Sequence, residues 1–374
     1  MNPAEGKHKE FFFPRTLGGE GDRKAVGQTP APNHNIAWFM KKGLQIFLPL
    51  TLLAALAEGL ILMRVRIDPW RLAALLESVA LLLGAFVGLT QTAFIKQLRH
   101  WAMASPALAG GMPFLLLVPY LIFGLGTRTF SLVAFGKIIA YILVPTALLL
   151  PDRLHHHETL TWRDVVAMVA LAVPVSAGWL GGIWTWPQDI YIFRPIFCVL
   201  VGGYDFMVLR NLEGVGFRLV WRRSDVSDAL LNLLAFSLLA IPLGIALNFI
   251  HPHAMAPLAH GSVEGLGPVL NFLFLFIGIY LTVAIPEELL FRGILQNLLV
   301  RTIQKGPSGL YGLLIASVVF GASHLHHAPR PNWRYAILAT LAGIFYGNVY
   351  RTRQRLCASA LTHALVDTIW HFWF

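Results

Sequence analysis

Charge is scarce in this chain. Asp, Glu, Lys and Arg make up 13% of its 374 residues, where soluble domains carry about 25%. Cysteine is scarcer: Cys198 and Cys357 are the only two, far apart and without CxxC spacing, which argues against a disulfide framework and a zinc ribbon. No secretory signal pattern is visible, because residues 1–33 are polar and Gly/Pro-rich and the first apolar run starts near Gly43. What abounds is apolar, with 56% hydrophobic residues and a mean hydropathy of +0.63. This is the composition of a membrane protein. The net charge of +10 does not imply nucleic acid, since many Arg and Lys residues flank apolar runs, where the positive-inside bias and lipid headgroups account for them.

A bilayer core offers no partner to an open backbone, so the apolar runs are expected as helices. Candidate spans lie at Gly43–Met63, Leu72–Ile95, Met112–Gly126, Ser131–Leu150, Val165–Gly182 and a more polar Ile192–Leu209. They continue at Ala229–Ile250, Val269–Ile285 with a helical extension to Val300, Leu310–His324, Tyr335–Tyr350 and Ala358–Phe374. The expected fold is all-α, a polytopic transmembrane bundle of about ten membrane helices of about 20 residues each. A disordered basic tail is expected over residues 1–42 and N-terminal transmembrane helices of unknown role over 43–227. A C-terminal unit over 228–374 gathers the intramembrane polar groups. The boundary falls in the arginine-rich stretch Arg210–Ser227. Basic residues put Arg218–Arg223, Arg301–Lys305 and Arg351–Arg355 in the cytoplasm and the Lys- and Arg-free loop His251–Pro268 outside; Arg64, Arg66, Arg71, Arg330 and Arg334 fit this less well. The expected location is multi-pass in a bacterial cytoplasmic membrane.

The chain is organised around Ile285-Pro286-Glu287-Glu288-Leu289-Leu290-Phe291-Arg292. Charged groups in hydrocarbon cost roughly 2.5–3.5 kcal/mol each on insertion scales, so these must face protein or a water-filled cavity. Four residues apart on a helix, Glu288 and Arg292 share a face and can pair. Glu287 points about 100° away and stays available. Two further helices carry Phe320-Gly-Ala-Ser-His324 and His363-Ala-Leu-Val-Asp367, each pair one turn apart on one face. A carboxylate beside a histidine can activate water, and a second histidine with a nearby donor can stabilise an oxyanion.

These three motifs resemble those of the CPBP (CAAX protease and bacteriocin-processing) intramembrane glutamic endopeptidases: EExxxR at Glu287–Arg292, FxxxH at Phe320–His324 and HxxxN/D at His363–Asp367, in the family's order. The resemblance covers roughly Asp228 to Phe374. It implies Glu287 as the base activating water, His324 assisting, and His363 with Asp367 on the oxyanion side. Glu288, Arg292 and Phe320 would support the site. Where this chain has Asp367, eukaryotic CAAX-processing members are similar but have Asn; an ionised Asp cannot donate to an oxyanion, so Asp367 is either protonated or orients His363. The mechanism implied needs no metal, and no cofactor is expected. The implied partner is a membrane-associated protein or peptide: a CAAX-like tail, a peptide precursor or a C-terminal sorting tail.

Other readings stand beside this one. The same cavity could serve a non-enzymatic binding, immunity or transport protein. His324, His326 and His327 could hold a metal, although HExxH is missing. Glu58, Glu77 and Lys137 could line a substrate path, but pairing or placement near a helix end explains them more simply. Asn232, Asn248 and Asn271 read as interhelical hydrogen-bond glue. Trp370 and Trp373 read as interfacial anchors and His371 as an interface histidine.

Overall fold

The computed structural model describes residues 67–155, 157–252, 267–303 and 307–374. The tail 1–42, the span Gly43–Met63 with Glu58, Arg64 and Arg66, most of the 251–268 loop, and Lys305 lie outside the described residues. Among those described, all regular structure is helical. Helices α1 (Pro69–Leu89), α2 (Thr92–Ala104), α3 (Pro106–Gly126), α4 (Leu132–Arg153), α5 (Trp162–Ser176) and α6 (193–209) form the N-terminal part. Helices α7 (Arg223–Ala246), α8 (Pro268–Thr302), α9 (Ser308–Ser323), α10 (Trp333–Arg353) and α11 (Leu356–Trp373) form the rest.

Six of the described helices are long and apolar enough to cross a membrane: α1, α3, α4, α7, α8 and the α9 segment Gly309–His326. The expectation of about ten is not confirmed by that measure, and the span expected at Gly43–Met63 lies outside the described residues. The run expected at Leu72–Ile95 still yields a span in α1, which stops at Leu89 before a separate α2, whereas the run expected at Val165–Gly182 is cut short, α5 ending at Ser176 after 15 residues. Helix α10 is as long as a span but carries Arg334, Asn348, Arg351 and Arg353. Its middle is buried against its neighbours, so its composition answers to protein rather than to lipid.

Helix α6 is the post of the N-terminal part. All of its residues but Arg194 are buried, and α1, α4 and α5 pack around it. The polar span read from the sequence is therefore an interior helix, and its Asp205 accepts from Thr146 Oγ1 at 3.0 Å instead of meeting lipid. Fully buried Arg210 ends it, donating from Nε to Asp164 at 2.8 Å and to the carbonyls of His157 and Thr159. Asp164 also closes the capping box with Thr161 that starts α5, so one carboxylate fastens two helix ends. Lys137 lies near the start of α4 and donates to the Gly181 carbonyl at 3.1 Å, a helix-end role.

The stretch expected as a domain boundary is strapped to the C-terminal helices. The Glu213 carbonyl accepts from Asn297 at 2.7 Å and Arg301 at 2.9 Å, Gly214 from the Tyr350 hydroxyl at 2.6 Å, and Gly216 from the Leu356 amide at 3.0 Å. Gly216 has φ +68 and passes so close to the α10–α11 turn that a Cβ would lie 2.3 Å from the Gln354 carbonyl oxygen. Only glycine fits there.

Helix α7 ends at Ala246 rather than at Ile250. Asn248, at φ 52, takes the left-handed position, and the amides of Asn248 and Phe249 return to the carbonyls of Ile245 and Gly244, a Schellman ending. Asn248 thus terminates the helix. Asn232 does bridge helices, accepting from Asn348 of α10 at 3.1 Å.

Helix α8 runs 35 residues, about 52 Å at 1.5 Å per residue. Pro286 supplies no amide to its ladder, and the turns on either side, Tyr280–Ala284 and Leu289–Gln296, are wound as π-helix. Helices α8, α9 and α10 meet through small residues. Gly343 and Gly347 stand one turn apart on α10, and their carbonyls accept from Arg292 Nη2 at 3.4 Å and Gln296 Nε2 at 3.0 Å on α8. Gly321 of α9 lies against α10, with Thr340 Oγ1 1.8 Å from where a Cβ would be. Close approach through small residues is how membrane helices gain packing without a hydrophobic driving force.

Candidate active site

Four elements bring the motif residues to one cavity of about 360 Å³. Glu287 comes from α8, His324 from the tight turn after α9, Tyr346 from α10, and His363 and Asp367 from α11. Part of the lining is apolar, with Phe236 and Ala240 of α7 and Ile279 and Val283 of α8.

The two adjacent glutamates have separate surroundings. Glu288 is wholly buried and lies 3.2 Å from Arg292 Nε, the i,i+4 pair expected from spacing. Its carboxylate also accepts from Ser359 Oγ and, at 2.9 Å, from His363 Nδ1. Among the described residues Glu287 has no guanidinium ion-pair partner; its side chain is 34% exposed and lines the cavity, and its Oε2 lies 3.8 Å from His363 Nε2. Asp367 Oδ2 is 3.4 Å from the same nitrogen, and the imidazole lies stacked on Tyr346 with centroids 4.6 Å apart. His363 is therefore gripped at Nδ1, on its face and at Nε2.

His324 is set by its own helix. Its Nδ1 is 2.8 Å from the Phe320 carbonyl oxygen, which can only accept, so Nδ1 carries the hydrogen and in the neutral ring Nε2 is an acceptor. The histidine in ion-pair range of Glu287 is His363; His324 reaches the shared cavity from another wall. Phe320 fills the space between, with the Arg292 guanidinium 4.3 Å from its ring centre on one side and His324 edge-on at 4.8 Å. An aromatic face against a buried cation adds attraction beyond the ion pair.

Three features were not read from the sequence. Ser359 sits four residues before His363 on α11, and that i,i+4 spacing was the available signal. Tyr346 lies between Gly343 and Gly347, where the small-residue pair marks a close-packed face but not a stacking partner. The hold of Glu288 on His363 needs the α8–α11 packing and has no local signature. His326 is exposed with its Nδ1 2.6 Å from the Ser323 carbonyl, and among the described residues no three His, Cys, Asp or Glu side chains are arranged to hold a metal ion.

Residues 269–369 match the family model for type II CAAX prenyl endopeptidase Rce1-like proteins. That interval contains all three motifs; the helices before α8 lie outside it. No curated protein matches the chain, and no solved structure does. The apolar helices and this match make the chain an integral membrane protein. Over that interval its C-terminal helices are similar to Rce1-like proteins, a match consistent with the CPBP family.

Proposed function

We propose that the protein is a membrane-embedded glutamic endopeptidase that hydrolyses a peptide bond of a membrane-associated polypeptide. The observation that carries this reading is the division between the glutamates. Glu288 is consumed by Arg292, Ser359 and His363, while Glu287 lines the cavity with His363 Nε2 3.8 Å away. In the reaction, Glu287 takes a proton from water, and the water oxygen forms a bond to the scissile carbonyl carbon. The proton then passes to the leaving amine as the C–N bond breaks. His324 Nε2, an acceptor, orients the same water. His363, carrying a hydrogen on each ring nitrogen, keeps Nδ1–H on Glu288 and turns Nε2–H to the carbonyl oxygen, where developing charge is stabilised. Asp367 orients His363 and does not itself donate.

The test uses the purified full-length chain in lipid nanodiscs with a membrane-anchored peptide reporter. Native protein should cleave it in the presence of a strong chelator, and Glu287→Ala should not, at equal folded protein. Full activity of Glu287→Ala would remove the glutamate mechanism; loss of native activity on chelation would favour a metal-dependent one.

A further inference from the structure

The ends of the C-terminal helices differ in charge and in access to the cavity. At one end, α8, α10 and α11 meet the 210–225 strap. There Arg301 bonds Glu213, Arg353 pairs with Asp228 at 2.5 Å, and Arg355 pairs with Asp225 at 2.8 Å. Arg218, Arg222, Arg223 and Arg351 are at the same end and exposed. At the other end the last turn of α11, the start of α10 and the residues after α7 form an aromatic cluster. Phe249, Tyr335 and Trp370 lie 5.4–5.8 Å apart by ring centroids, with His327 against Tyr335 at 5.1 Å.

The cavity reaches only one of these ends. Its lining includes Phe249, Tyr335, His327, Trp370, His371 and Phe374, and no residue of the strap or of the basic end. Glu287, Tyr346 and His363 line the same cavity. Aromatic residues in such a ring suit the membrane–water interface. The loop that would follow this rim after α7, residues 251–268, has no Lys or Arg. The rim's own cations, Arg330 and Arg334, are each bonded to a backbone carbonyl, His326 at 2.6 Å and Asn248 at 3.3 Å. The strapped end carries Arg218, Arg222, Arg223, Arg301, Arg351, Arg353 and Arg355, against Arg330 and Arg334 at the rim and Arg71 at the start of α1; the density of Lys and Arg in short flanking segments sets orientation, and it favours the strapped end as the cytoplasmic one.

We infer that the cavity opens on the non-cytoplasmic face, and that its substrate is a stretch of a membrane-anchored polypeptide on that side, next to the outer end of its anchor. A lipid-modified tail displayed in the cytoplasm would meet the closed, strapped end. The apolar lining supplied by α7 and α8 gives the residues of the anchor a place in the same cavity as Glu287 and His363. The choice of substrate rests on the peptidase reading; the orientation does not.

Two measurements separate these. In intact cells expressing the full chain, a membrane-impermeant maleimide should modify His371→Cys or Tyr191→Cys before lysis and Arg351→Cys or Arg218→Cys only after it. The native Cys198 and Cys357 are buried. Labelling after solubilisation shows that each variant is present and accessible. The reverse pattern, or equal labelling of both ends in intact cells, overturns the orientation. Second, single-anchor reporters carry the same cleavable stretch on either side of the membrane. Loss of the intact form is expected only for the external one and only with Glu287 present. Cleavage of the cytoplasmic reporter overturns the substrate assignment. If neither is cut while His371→Cys is labelled from outside, the peptidase reading fails and the orientation stands.

Discussion

His363 Nδ1 stands 2.9 Å from Glu288 Oε1, across the contact between α11 and α8. Because Glu288 also faces Arg292 at 3.2 Å, its carboxylate can only accept, and the histidine must present its hydrogen there. The second glutamate of the motif thus fixes the ring whose other nitrogen faces Glu287 and Asp367. It links the packing of the motif helix to the chemistry proposed at the cavity.

Removing one side of that pair leaves a buried charge alone. Glu288→Gln is expected to lower stability by about 3–5 kcal/mol, the usual cost of breaking a buried ion pair, and to lower cleavage strongly because its single acceptor oxygen cannot serve Arg292, Ser359 and His363 together. The double variant Glu288→Leu/Arg292→Met should recover much of the thermal midpoint in detergent and none of the activity. A double variant that cleaves at the native rate would show that Glu288 serves packing alone.

Gly321 tests the α9–α10 contact. In Gly321→Ala the new Cβ would meet Thr340 Oγ1 at 1.8 Å and the Ala336 carbonyl oxygen at 2.5 Å. Overpacking of this kind costs about 1–3 kcal/mol. Adding Thr340→Ala should not restore the melting temperature, because the backbone oxygen remains in the way. Full rescue by the second change would place the clash in the side chain only.

Asp367→Asn keeps shape and hydrogen-bonding reach toward His363 Nε2. Cleavage should persist within about tenfold of native, a barrier change of about 1.4 kcal/mol or less, whereas Asp367→Leu should lose it. Loss of activity in Asp367→Asn equal to that in Asp367→Leu would assign the carboxylate itself a direct proton-transfer role.

The strap makes its own prediction. Gly216→Ala places a methyl group 2.3 Å from the Gln354 carbonyl oxygen at a left-handed φ. The 211–222 stretch should then become sensitive to added protease in detergent, while the native chain resists there. Equal resistance would mean that the backbone bonds to Glu213, Gly214 and Gly216 are not what holds it.

Local spacing carried the readings that needed only one helix. The Glu288–Arg292 pair follows from an i,i+4 separation, and the all-helical character follows from the long apolar runs. The placement of Phe320 one turn from His324 is likewise a property of one segment. What the sequence did not reveal depends on two segments meeting. Ser359 and His363 both reach Glu288 only because α11 lies against α8. Tyr346 stacks on His363 only because glycines let α10 approach. Helix ends were misplaced where capping, not hydropathy, decides: Asn248 stops α7 four residues before the apolar run does, and the break at Thr90–Gln91 divides a run that reads as continuous. The burial of α6 and of the middle of α10 shows that a stretch read as a span can be an interior helix.

The central claim is that Glu287 turns this cavity into a peptidase. It is tested most directly by comparing protein N- and C-termini in membranes of cells expressing the native chain or Glu287→Gln at matched levels. The account predicts a set of termini present with the native chain and missing with Glu287→Gln, with cut sites beside membrane anchors. Identical termini in the two membranes, with the host's own membrane proteins present, would contradict it and favour a binding or transport role for the same polar cavity.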